Sequence, residues 1–212
     1  MQRVLFYGDS ITDCGRKHDN LLDAGKGYAA FVKSELTYKY PMQYEFINKG
    51  ISGNRVVDLY AREKVDLINL EPDYVSILIG VNDVWHEVDL KNGVDAKRFE
   101  DVYTMLIEDI KSALPETKIF IMEPFCLKGS ATSREDDENR WETFKNETPI
   151  RADAARRVAE KFGLPFIELQ NVINEAAKET AENYVLGDGV HPTVYGHTII
   201  AKEWICCFEQ NK

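Results

Sequence analysis

No apolar run in this sequence approaches the roughly 20 residues that a membrane-spanning helix needs. The apolar stretch at residues 4–7 is also too brief for a secretory signal core, and Asp9 and Ser10 follow it at once. A cytoplasmic location is the expectation. Positive charge is scarce: 26 Lys and Arg stand against 36 Asp and Glu, a formal net charge of −10. Phosphate recognition needs a basic footprint, so this balance argues against nucleic acid and against anionic membranes as partners. It mildly favours a neutral substrate over an anionic one. Cysteine is sparse, and Cys14, Cys126, Cys206 and Cys207 fall into no C-x-x-C or disulfide-framework spacing. All four are expected to be reduced packing residues.

Whole classes of chemistry lack their sequence marks. The nucleophile elbow G-x-S-x-G of α/β-hydrolases is missing, since residues 50–54 read GISGN. No phosphate-binding P-loop is present. His18, His86, His191 and His197 make no H-E-x-x-H run, and Asp188 with His191 would give a metal only two ligands. Residues 25–30 (GKGYAA) fit the loose dinucleotide pattern, but a polar, turn-like segment precedes them where a strand should be. No metal or other cofactor is expected.

What is present is an ordinary globular composition, 44% hydrophobic and 29% charged, in a length of 212 residues that suits one domain spanning 1–212. Short apolar, β-branched runs at residues 4–7, 44–48, 74–79, 118–122 and 165–168 alternate with helical-period segments. Those segments cover residues 27–38, 56–70, 97–114, 149–162, 172–180 and 192–208, and the polar stretch 129–139 reads as an exposed loop. The alternation implies right-handed βαβ units and a three-layer α/β/α sandwich around a parallel sheet. Ligands in such folds sit at the carboxyl ends of the strands. Ser10, Asn82 and Glu123 all lie just past a strand end.

Four segments could carry chemistry. Gly8-Asp9-Ser10 can expose a serine hydroxyl at the sheet edge, although a helix N-cap would look the same. Asp188-Gly189-Val190-His191 can supply both a base for that serine and the carboxylate that fixes the base's tautomer; a capped turn before Pro192 is the plainer reading. Asn48 to Asn54 holds glycines that free backbone N–H groups, as an oxyanion hole requires and as any tight turn also does. Asn82 offers a side-chain donor, or is half of an Asn82–Asp83 turn pair. Trp85, just beyond, could stack on a sugar face or serve as core.

Taken together in this order, the four segments resemble the SGNH, or GDSL, hydrolase superfamily, whose four blocks fall on Ser10, Gly53, Asn82 and His191. The resemblance implies a flavodoxin-like sheet of five parallel strands in order 2-1-3-4-5. It implies Ser10 as nucleophile, His191 as base and Asp188 as its partner, with an oxyanion hole from the Ser10 and Gly53 N–H groups and the Asn82 side chain. Residues 8–16 (GDSITDCGR), 48–54 (NKGISGN) and 79–85 (IGVNDVW) are further similar to intracellular bacterial acetylxylan esterases of this superfamily. Those enzymes deacetylate imported xylo-oligosaccharides and form large homo-oligomers, so a small acetylated-sugar ester is the expected substrate and a homo-oligomer the expected state. A lysophospholipase or thioesterase of the same superfamily, and a non-catalytic carbohydrate-binding protein, are the competing readings. Asp13 departs from the usual first block and is expected to hold a loop, and His197 to be a helix residue rather than a second base.

Overall fold

The computed structural model describes residues 1–212. Strand β1 (Gln2–Gly8) pairs in parallel with β2 (Tyr44–Gly50) on one side and β3 (Tyr74–Leu78) on the other. Strand β4 (Lys118–Met122) adds to β3, and the two-residue β5 (Phe166–Ile167) closes the edge, giving the order β2-β1-β3-β4-β5. The helices are α1 (Ser10–Asp13), α2 (Tyr28–Lys39), α3 (Val56–Asp66), α4 (Val81–Leu90) and α5 (Ala96–Ala113). They continue with α6 (Arg140–Phe162), α7 (Gln170–Glu179), α8 (Glu182–Val185) and α9 (Val194–Asn211).

Alternation along the strands sorts the core into two layers. Val4 and Phe6 of β1 face α2 and α9, packing with Tyr28, Trp204 and Phe208. Leu5 and Tyr7 face α3 and α5, packing with Leu59, Phe99 and Tyr103. Strands buried on both faces must be apolar nearly throughout, which is why β1 reads as an unbroken apolar run. The α/β/α sandwich and its strand order are those the sequence led one to expect.

Three local expectations change. Helix α4 occupies the stretch where only an Asn82–Asp83 turn was expected; Gly80 at its N-cap takes φ 138°, a value that leaves the strand abruptly. Helix α6 begins at Arg140 rather than Pro149, and carries that proline in its interior. Proline forfeits one helical hydrogen bond. The buried side chains of Arg140, Phe144 and Thr148 hold the preceding turns in place all the same. The 129–139 loop is not exposed throughout: Ala131 and Thr132 are buried, while Ser130 and most residues from Arg134 onward are exposed.

Trp204 is fully buried, stacked on Phe208 at 5.0 Å and lying 5.4 Å from Phe6 and 6.0 Å from Phe120. It joins α9 to the sheet. Trp204→Ala should lower the unfolding free energy by about 3–5 kcal/mol, as truncation of a large core aromatic does; urea unfolding followed by circular dichroism measures it, and a loss well under 1 kcal/mol would contradict this packing.

Candidate active site

The strands deliver the site. Gly8, at the end of β1, is level with Gly50 on β2 and Leu78 on β3. The chain therefore leaves all three central strands at one edge of the sheet. After β1, the Asp9 carboxylate accepts the Ile11 N–H at 2.9 Å and starts the single turn of α1, with Ser10 as its first residue.

The last loop brings the base. His191 Nε2 lies 2.9 Å from Ser10 Oγ, and its Nδ1 lies 2.7 Å from Asp188 Oδ2. An ionised carboxylate only accepts, so Nδ1 carries the ring proton and Nε2 accepts from the serine hydroxyl. The second Asp188 oxygen accepts the backbone N–H groups of Val190 at 2.9 Å and His191 at 2.8 Å, closing the turn on itself. Residues 127–132 brace this turn from behind. Leu127 N–H donates to the Gly189 carbonyl and Ala131 N–H to the Asp188 carbonyl, both at 2.8 Å. The Thr132 hydroxyl ties that brace together by donating to the Leu127 carbonyl at 2.7 Å and accepting from Gly129 N–H at 2.9 Å.

Ser10, Gly53, Asn82, Trp85 and His191 line one open cleft of about 380 Å³, with Asp188 behind His191. Gly53 has φ 82°, the left-handed region in which a glycine is unstrained. Asn82 sits in the first turn of α4, where its side-chain N–H donates to the Asn54 carbonyl at 3.1 Å, so it joins the two turns that flank Ser10. Trp85 lies both at the cleft and against the core. Its ring packs edge-on against Phe144 at 6.0 Å and also stands 5.9 Å from the His191 ring.

His86, expected beside Trp85 at the mouth of the site, lines the cleft, and sequence reasoning did not single out Ser52, Asp89 and Leu90, which complete it. Asp89 accepts the Trp85 indole N–H at 2.7 Å and pairs with the guanidinium of Arg140, a side chain buried beneath the rim. Its four-residue spacing from Trp85 on one helix was the available signal. Glu123 has no place in the cleft; its carboxylate accepts the N–H groups of Leu169 and Gln170 at 2.7 and 2.8 Å and caps α7. His197 lies buried in α9, where its Nδ1 accepts the Tyr28 N–H at 3.1 Å. Burial, with the charge of His191 adding to it, holds His197 down at about 4, and its other ring nitrogen lies against Cys14 Sγ at 3.3 Å rather than against Ser10. The segment 25–30 leads into α2 from a loop and not from a strand, so the dinucleotide pattern there has no structural support.

The electrostatics suit a poised base. The Asp188 hydrogen bond raises the His191 pKa above its ordinary value and outweighs burial, which works in the opposite direction. For Asp188 itself, burial pushes upward, but hydrogen bonds from the imidazole and the two backbone N–H groups prevail and hold it at about 2. The pair is thus a carboxylate beside an imidazole that gains a proton more readily than free histidine. Titration of His191 followed by NMR should give a midpoint above about 6.5. Asp188→Asn removes the raising contact and should move that midpoint down, so an unchanged midpoint would contradict this assignment of cause.

A Ser–His–Asp chain at the edge of a 2-1-3-4-5 sheet has known counterparts. Residues 6–199 match the family model of the GDSL-like Lipase/Acylhydrolase family. An acetylxylan esterase from Geobacillus stearothermophilus is 35% identical over 214 residues, covering 96% of this chain and 92% of that one. Its crystal structure superposes with a TM-score of 0.82 at 34% identity, over 97% of this chain and 93% of that one. Solved forms of it include catalytic mutants in which a serine, an aspartate or a histidine is replaced by alanine. A GDSL-like lipase from Parabacteroides merdae superposes with a TM-score of 0.90 at 32% identity, over 98% of this chain and 95% of that one. The chain belongs to the GDSL-like lipase/acylhydrolase family and is a serine-dependent hydrolase of carboxylic esters.

Proposed function

We propose that this enzyme removes acetyl groups from acetylated sugars of the xylo-oligosaccharide kind, through an acetyl-enzyme on Ser10. The observation that carries the reading is the unbroken chain of hydrogen bonds from Ser10 through His191 to Asp188, at 2.9 and 2.7 Å. Ser10 Oγ attacks the ester carbonyl while its proton passes to His191 Nε2. The carbonyl oxygen becomes an oxyanion, which accepts from the Ser10 and Gly53 N–H groups and the Asn82 side chain. As the tetrahedral adduct collapses, the C–O bond to the sugar breaks and His191 gives its proton to the leaving alcohol. Water then repeats the sequence on the acetyl-enzyme, releasing acetic acid and restoring the Ser10 hydroxyl. Asp188 stays ionised throughout and stabilises the imidazolium.

The alcohol half of the substrate is read from three supports. The relative that spans 96% of this chain is an acetylxylan esterase. Among the side chains lining the cleft only Trp85 and Leu90 are apolar, which suits a small acyl group and a hydroxyl-rich alcohol better than a lipid chain. An indole at the cleft can stack on a sugar ring. A non-catalytic binder would have no use for a base held in contact with a serine.

The reading extends to a single-domain, cytoplasmic homo-oligomer that works without a cofactor. All five strands lie in one sheet, and no helix is long and apolar enough to cross a membrane. Light scattering should give a particle mass that is a multiple of 24.3 kDa, and a mass equal to 24.3 kDa would remove the oligomer from the account.

The direct test is hydrolysis of p-nitrophenyl acetate, butyrate and octanoate, followed by acetylated xylo-oligosaccharides. Acetate should be preferred, Ser10→Ala should abolish turnover, and Asn82→Ala should lower kcat by about 10²–10³-fold. Octanoate preference would redirect the enzyme to lipids or thioesters, and full turnover by Ser10→Ala would end the proposal.

A further inference from the structure

Gly53 lies between two anchored neighbours. On one side, Ser52 donates its backbone N–H and its hydroxyl to the same oxygen, Asp13 Oδ2, at 3.1 and 3.0 Å. On the other, the Asn54 side-chain carbonyl accepts from Arg62 Nε at 2.7 Å. Both anchors also grip the turn that carries Ser10. Asp13 is the last residue of the one-turn helix that Ser10 begins. Arg62 reaches from α3 to donate to the carbonyl of Gly8 at 3.1 Å, and Ile51 N–H donates to that carbonyl at 3.0 Å. The two turns touch so closely that a Cβ on Gly50 would stand 2.1 Å from the Asp13 nitrogen.

Neither anchor lines the cleft, yet both are charged groups largely removed from water, with side chains 8% and 15% exposed. A charge withdrawn in this way needs its hydrogen bonds filled, and here every one named goes to the Ser10 turn, the Gly53 turn or a partner that holds the anchor still. Arg62 is fixed by Asp66 at 3.0 Å and lies over the Tyr7 ring at 4.3 Å. Asp13 is further contacted by His18 Nε2 at 3.3 Å. The result is a cross-brace in which one side chain from each direction ties the serine turn to the glycine turn.

We propose that Asp13 and Arg62 are positioning residues that fix the Gly53 N–H relative to Ser10, so that it meets the oxyanion as the charge forms. The inference rests on reading Ser10 as the nucleophile and Gly53 as an oxyanion donor. An oxyanion donor acts on charge present only in the transition state, so its displacement lowers kcat and leaves ground-state binding largely alone. A shift of about 1 Å is enough to cost on the order of 10²-fold.

The test uses the full chain with Asp13→Ala, Asp13→Asn, Arg62→Ala and Arg62→Lys, assayed on p-nitrophenyl acetate and with a boronic acid that forms a tetrahedral adduct on serine. Asp13→Ala and Arg62→Ala should lower kcat by about 10- to 100-fold with KM little changed, and boronate affinity should fall in parallel. Asp13→Asn keeps one acceptor oxygen and Arg62→Lys keeps the charge, so both should recover part of the loss while melting temperature stays near that of the parent. Unchanged kcat in the Asp13→Ala and Arg62→Ala variants, or losses in kcat that boronate affinity does not follow, would overturn the proposal. Ser10→Ala separates this failure from failure of the underlying reading: if it is inactive while the brace variants turn over normally, only the brace is lost.

Discussion

The parallel pairing of β1 with both β2 and β3 governs the placement of everything else. Because β1 lies between them in register, Gly8, Gly50 and Leu78 end at one level, and three separate loops emerge side by side. The first carries Ser10, the second Gly53 and the third Asn82. Local sequence could not bring these residues together, since Gly53 and Asn82 follow Ser10 by 43 and 72 residues and reach it only through βαβ crossovers. The fourth contributor arrives from the far end of the chain, and the bond between Ser10 and His191 spans 181 residues. The site is therefore built only where the folded sheet brings these segments together.

Around this edge the protein places carboxyl groups with different tasks. Asp188 is held ionised by three donors and supports His191. Asp9, beside Ser10, is buried, and burial pushes it up to about 7; its hydrogen bond from Ile11 and the charge of His191 pull only partly against that. Asp83, also wholly buried, is raised well above the ordinary carboxylate value by burial, while both its oxygens accept the Val56 N–H at 3.1 and 3.3 Å and fix the start of α3. Asp89 is held low first by its hydrogen bonds from Arg140. Environment rather than residue type assigns these roles.

Much of this was legible in the sequence because its signals were redundant. The apolar runs marked the strands, and the joint spacing of Ser10, Gly53, Asn82 and His191 marked the cleft they line. Helix α4 was missed because Gly80, Asn82 and Asp83 favour turns, although Val81, Val84, Trp85 and Val88 repeat at helical spacing. With it went Asp89, one turn beyond Trp85. The start of α6 was displaced because Pro149 is a good first helical residue, and only tertiary burial of Arg140 and Phe144 reveals the turns before it. The first half of the 129–139 loop looked like a solvent loop, yet its backbone pairs with the Asp188 turn, a contact between distant segments that leaves no mark in composition. Arg62 was hidden for the same reason, whereas Asp13 was expected to hold a loop.

The most direct measurement of the central claim, that Ser10 is activated by His191 and Asp188, is labelling with a p-nitrophenyl phosphonate followed by peptide mapping. The account predicts a single covalent adduct, on Ser10, that forms more slowly as His191 becomes protonated. An adduct on another residue, or catalysis that continues unimpaired with Ser10 fully labelled, would contradict it.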